Sequence, residues 1–179
     1  MNNIKVFEEE INKISDVNIK NILEEYLIYE VPEYFYVVPA STSGKYHPKQ
    51  DLGEGGLVRH SKCVVNVGLD LLRCEQFGKN DNYTKDIVIV CGLIHDTFKC
   101  GEVNQGKTIL EHPLLASEHF SKIAKERIEP ITLHIICKCI SSHMGIWNGE
   151  GVLPLPQTDI EKLVHLADYI ASRKYIDMY

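Results

Sequence analysis

Apolar residues recur along this chain at helical spacing, with one long interruption. Ile4, Phe7, Ile11 and Ile14 share a helical face, and Ile19, Ile22, Leu23 and Tyr26 repeat the pattern after Ser15-Asp16. This predicts a short N-terminal helical pair. From Val31 to Gly56 the pattern stops: Pro32, Pro39, Gly44, Pro48, Gly53, Gly55 and Gly56 punctuate a loop in which Tyr34 to Val38 reads as a brief extended piece. A loop of this length inside one domain is usually functional or mobile. Helical periodicity then returns and predicts helices near Leu57–Phe77, Asn82–Thr97, Pro113–Arg127, Ile131–His143 and Asp159–Asp177. Pro113 sits where a first helical residue belongs, Gly101 follows the second of these helices, and Thr158-Asp159-Ile160-Glu161 has the form of a capping box opening the last. The expected fold class is all-α, with about five core helices, an N-terminal helical pair and a Pro/Gly-rich loop.

Composition narrows the function classes. The 179 residues suit a single domain, read as an N-terminal extension and loop (1–56) packed on a helical domain (57–179). With 19 Lys+Arg against 25 Asp+Glu, the net charge of −6 argues against a general nucleic-acid-coating surface but not against a local basic pocket. The longest apolar run, Ile87 to Ile94, falls far short of the roughly 18–20 residues that cross a bilayer. Glu8, Glu9 and Glu10 do not suit an export signal, so a cytoplasmic location is expected. The six cysteines form no C-x-x-C pair and read as reduced, small buried hydrophobes.

The chemistry lies in where certain histidines and aspartates fall. His60 shares an apolar stripe with Val64, Val67 and Leu71. His95 and Asp96 close a helix that is apolar nearly all round, where a carboxylate is costly to bury unless it is paired or metal-bound. His143 lies on the face of Ile136, Cys139 and Ile140, Asp168 interrupts the apolar Leu163–Ile170 stretch, and His112 directly precedes Pro113. His134, beside Lys138 and Ser141, reads as a solvated histidine. His119 stands two helical turns from His112, about 10 Å, too far to share an ion with it. Taken singly, each histidine is more often a satisfied core or surface residue. Together, four inward or helix-end histidines and two apolar-face aspartates call for a shared cation, and this donor set suits a borderline first-row metal.

The order His60, His95-Asp96, Asp168 resembles the H…HD…D signature of the HD-domain metal-dependent phosphohydrolase superfamily. Gly55-Gly56-Leu57-Val58-Arg59-His60 is similar to its G-G-L-x-x-H opening, His95 to Lys99 to its H-D-x-G-K, and Leu166 to Ile170 to its terminal A-D helix. Among subgroups, the chain resembles the HD domain of bacterial 3′-to-5′ exoribonucleases and the HD-type diadenosine tetraphosphate hydrolases. The resemblance implies an HD-domain helical bundle in which His60, His95, Asp96 and Asp168 hold one divalent ion. His112 and His143 fall where two-metal members hold a second, with Asp96 as the bridge. Fe, Mn, Co, Ni, Zn and Mg are all open. Phe98 stands in place of the usual Gly and is expected to narrow the pocket, and His143-Met144 stands where some members have consecutive histidines.

The implied activity is hydrolysis of a phosphoester or phosphoanhydride of a nucleotide or related small molecule, with Asp96 and Lys99 as catalytic residues. Arg59, Lys45, His47, Trp147 and Arg173 are the expected substrate contacts, with Ser41 to Pro48 as a lid over the pocket. The alternatives are a 3′-to-5′ nuclease on short single strands and a non-catalytic metal-bearing nucleotide sensor. The acidic balance disfavours action on long nucleic acid.

Overall fold

The computed structural model describes residues 3–41, 44–77 and 79–174, and every regular element among them is helical. A 3-10 turn (Asn3–Phe7) leads into α1 (Glu8–Ile11) and then α2 (Val17–Tyr29). After the loop come α3 (Gly56–Leu71), α4 (Asn82–Ile94), α5 (His112–Ala124), α6 (Pro130–Ser142) and α7 (Asp159–Ala171). Helix α3 packs most closely on α4 and α7, α5 on α6, and α6 in turn on α4 and α7. The N-terminal segment adds to the same core: Phe7, Ile11, Tyr26 and Phe35 pack in one cluster with Leu57, Val65, Ile89 and Ile140. No helix among the described residues is long and apolar enough to cross a membrane.

Local chemistry sets the helix ends. The Asp16 carboxylate caps α2 by accepting from the Asn18 and Ile19 amides, and Asp81 caps α4 through the Thr84 amide. Buried Asp86 accepts from the Ser15 and Asp16 amides at 2.9 Å each, tying α4 to the turn before α2. At α7 the Thr158 hydroxyl accepts from the Glu161 amide, while the Glu161 carboxylate takes the Gln157 amide and the Thr158 hydroxyl. The capping box is therefore present, with its return leg one residue early.

Several readings of the pattern change. Tyr34 to Val38 is not extended: Glu33–Tyr36 forms a 3-10 turn. Tyr34 bonds Gly101, Phe35 is buried and Tyr36 bonds Leu27, three anchors in different directions that the two faces of a strand could not supply. Helix α3 stops at Leu71, with Phe77 in a separate 3-10 turn, and α4 stops at Ile94, before the His95-Asp96 doublet. The final helix ends at Ala171, and residues 175–177 of its predicted span lie outside the described residues. None of the six cysteines forms a disulfide, but not all are buried: Cys74, just past the end of α3, is exposed and Cys137 is half-buried.

Helices α3 and α4 cross at Gly92. A Cβ there would lie 2.8 Å from Val65 Cγ2 and 3.1 Å from the Val65 amide nitrogen, so only glycine permits this approach. One turn on from Gly92, α4 delivers His95 close to α3.

Candidate metal centre

Each polar side chain of the centre is delivered by a helix end or an interior face. Gly55 takes a left-handed φ of 68°, and a Cβ on Gly56 would collide with the Asp51 carbonyl oxygen, which already accepts from the Ala40 amide. This pair of glycines lets α3 start hard against the loop and carries His60 into the interior one turn later. His95 follows the last turn of α4, His112 opens α5, His143 follows α6 and Asp168 lies on α7. All four histidines are buried.

Their tautomers can be read from the backbone. Nδ1 of His95, His112 and His143 faces the carbonyl of the residue three before it, Gly92, Ile109 and Ile140, at 3.0, 2.6 and 2.8 Å. A carbonyl only accepts, so these nitrogens carry the proton and turn Nε2 inward, the arrangement of an imidazole ligand. His60 is the exception. Its Nε2 lies 3.0 Å from Asp168 Oδ1, and its buried Nδ1 has no hydrogen-bond partner among the described residues.

The inward atoms divide around Asp96. Its Oδ2 lies 3.6 Å from His95 Nε2 and 3.9 Å from His60 Nε2, while His95 Nε2 is also 3.7 Å from Asp168 Oδ1. Its Oδ1 lies 2.9 Å from His112 Nε2 and 3.7 Å from His143 Nε2, and those two nitrogens are 3.4 Å apart. Ligands about 2.1 Å from one ion stand about 3.0 Å apart at right angles and about 4.2 Å apart across it. All these spacings fall near or within that range. His95 Nε2 supplies an independent test: it is enclosed and without a hydrogen-bond partner among the described residues. The residues fit a cation.

Electrostatics agree. Burial lowers the pKa of His60, partly offset by its bond with Asp168. Burial, with His95 beside it, holds His143 at about 3. Burial acts to raise the Asp96 carboxyl, but Lys99, His95 and His112 outweigh it and hold it well below its usual range. Asp168 is likewise lowered, as the His60 hydrogen bond and nearby His95 overcome its burial. Burial acts against the Lys99 ammonium, yet Asp96 keeps its pKa raised. Two carboxylates against one ammonium leave this inner group with one net negative charge, which favours a cation.

The centre opens into a cavity of about 230 Å³ lined by Tyr46, His47, Lys99, Thr108, Met144 and Trp147, among others. This is smaller than the roughly 300–1,000 Å³ of drug-sized sites, so it suits the phosphate end of a ligand. A larger cavity, about 840 Å³, lies between α2 and the α5–α6 turn, lined by residues such as Tyr83, Lys125 and Arg127. It has no imidazole and stands apart from this chemistry.

The predicted residues sort as follows. His60, His95, Asp96, Asp168, His112 and His143 come together, with Lys99 Nζ 2.6 Å from Asp96 Oδ2. Trp147 and Arg173 line the cavity. His47 reaches it too, but packs on His60 with ring centroids 4.9 Å apart. Arg59 does not face the cavity: its guanidinium bonds the Gln50 and Glu54 carbonyls on the far side of the loop. Lys45 is exposed beside Tyr46 and is not among the cavity residues. Of the expected lid, Tyr46 and His47 border the cavity, and Thr42 and Ser43 lie outside the described residues. Phe98 does not narrow the pocket; it is buried and stacks on His119, which bonds Glu30 and Glu102. His134 is exposed, as expected. Asp51, which with His47 and His60 forms another close donor group, and Tyr169 are not among the expected site residues, and Tyr46 is expected only as part of the lid. Tyr169 could have been found, since it stands one turn before Arg173.

Residues 58–173, about two-thirds of the chain, match the HD domain, and the chain belongs to that family. No curated protein and no solved structure matches the chain. HD domains bind divalent metals, and members of the superfamily are generally metal-dependent hydrolases acting on phosphate-containing substrates.

Proposed function

We propose that this chain is a cytoplasmic, metal-dependent phosphohydrolase cleaving a phosphoester or phosphoanhydride of a nucleotide or related small molecule. Residues 57–179 carry the chemistry, and residues 1–56 are an extension that backs the turn after His95-Asp96. The observation that supports this best is the division of the Asp96 carboxylate, Oδ2 toward His60 and His95 and Oδ1 toward His112 and His143. From that position Asp96 would be shared by two cations. His60, His95, Asp96 and Asp168 would hold one ion, and Asp96, His112 and His143 a second. When bound, a divalent ion supplies a Lewis acid for the phosphoryl oxygens and makes water a nucleophile at neutral pH. Lys99, kept cationic at the cavity wall, donates to a phosphoryl oxygen as negative charge develops. His60 and His143, whose pKa values burial lowers, keep their Nε2 lone pairs available to an ion.

The test combines metal content with turnover. Protein purified without chelator is expected to carry at least one transition ion per chain and to hydrolyse nucleotides or a chromogenic phosphoester with Mn, Co or Ni added. Asp96→Ala should abolish turnover; activity surviving that change overturns the assignment. Single-stranded oligonucleotides in the same assay report nuclease action.

A further inference from the structure

At the mouth of the cavity, aromatic rings from three separate elements converge on one guanidinium. Trp147, from the 3-10 turn after α6, stacks on Tyr169 of α7 with ring centroids 5.4 Å apart and planes 12° apart. Arg173 Cζ lies 3.9 Å from the Tyr169 ring centroid, 5.4 Å from that of Trp147 and 5.1 Å from that of Tyr46. Tyr46 is held there by the loop, its carbonyl accepting from the Lys174 amide at 2.7 Å. These rings are not core residues: Trp147 is 46 %, Tyr169 37 % and Tyr46 49 % exposed. Yet all three, with Arg173, line the same cavity as Asp96, Lys99 and His143.

We propose that this rim is a nucleobase site. The base of a nucleoside phosphate would take the slot where the Arg173 guanidinium now lies, between Tyr46 and the Trp147–Tyr169 pair. Three observations carry this. A guanidinium and a base are both planar groups that stack on aromatic rings, so a slot that fits one suits the other. Aromatic surface left exposed at the mouth of a cavity that ends in Asp96, Lys99 and His143 gains most from a ligand with one apolar face and one charged end. The small inner cavity has room for the phosphate but leaves the rest of the ligand at the rim. Arg173, displaced by the base, is a cation at the same mouth and would pair with the phosphate. The proposal rests on the reading of the inner cavity as a phosphate site and adds that the substrate is a nucleotide rather than a sugar phosphate.

Trp147 is the only tryptophan, so its fluorescence reports the slot directly. In the full-length, metal-loaded protein, adenosine, which has no phosphate to cleave, is expected to quench that emission saturably, whereas ribose 5-phosphate is not. Tyr169→Leu and Tyr46→Leu, checked for folding by circular dichroism, should each weaken adenosine binding by roughly 5- to 100-fold, the scale of one lost base stack. Arg173→Met should leave adenosine binding equal or tighter while weakening AMP binding, measured calorimetrically in the inactive Asp96→Ala background. Absence of quenching by adenosine at millimolar concentration, or ribose 5-phosphate binding as tightly as AMP, overturns the base site. Adenosine binding in a protein that turns over no phosphoester upholds the base site and overturns the hydrolase reading, so the two fail separately.

Discussion

His60 differs from the other three inward histidines in how its ring is held. The others are fixed by their own helix through Nδ1, but Nδ1 of His60 has no hydrogen-bond partner among the described residues, and His47 and Asp51 of the loop form a close donor group with this ring. Metal ligation through Nε2 requires the proton on Nδ1, and an outer partner there fixes the ring and raises its basicity. No such bond holds Nδ1 of His60 among the described residues, and the His47 ring packs on it edge to face instead, so His47→Leu is expected to loosen the His60 ring and lower metal affinity by up to about 10-fold. Competition with a chelator measures it, and unchanged affinity would show that His60 needs no help from the loop. At this scale the sequence pattern revealed the six inner residues because burying imidazole and carboxylate on apolar faces needs explaining. Asp51 and Tyr46 lie in a loop without periodicity, where no residue's direction can be inferred from spacing.

The elements show where periodicity misleads. The pattern carries α4 through Thr97 because those residues stay buried, but the chain turns at His95, and burial alone does not separate a helix from a tight buried turn. That turn is braced from outside the bundle. The Tyr26 hydroxyl lies 2.8 Å from Thr97 Oγ1, and the Tyr34 hydroxyl accepts from the Cys100 amide and donates to the Gly101 carbonyl. Tyr34→Phe strips both backbone groups of their partner and should cost about 1–3 kcal/mol in urea denaturation. Weakened metal binding should accompany it, since Asp96 sits at the start of the same turn. Gly92→Ala probes the α3–α4 crossing: a methyl 2.8 Å from Val65 Cγ2 and 3.1 Å from its amide nitrogen must push the helices apart. Overpacking of this kind costs about 1–3 kcal/mol, and a Tm within error of the parent protein would contradict the tight crossing.

For the whole molecule, the net charge of −6 counts Asp96 and Asp168, which are turned inward. The same inward charges make the metal-free protein sensitive to acid. His60 and His143 are held neutral by burial, His143 down to about 3, whereas in the unfolded chain each protonates near pH 6.5. Between those values the unfolded state binds more protons than the folded one, so stability falls as pH drops below about 6.5. Asp96 and Asp168 act in a lower window. Their folded pKa values lie below those of the unfolded carboxylates, so their contribution is present above about pH 4 and is lost on further acidification. Thermal melts of chelated protein should therefore show Tm declining in two stages, from about pH 6.5 and again from about pH 4. His143→Gln, which cannot protonate, should flatten the first stage. Saturating metal binds only the folded, deprotonated site and should raise Tm, and because burial keeps His143 unprotonated in the folded state down to about pH 3, the gain should persist well below pH 6.5 and be lost only as the folded site itself takes up protons. A metal-induced rise in Tm that vanished already between about pH 7 and about pH 5 would show that the ion depends on imidazoles that titrate near 6.5, not on His143 as it is buried here.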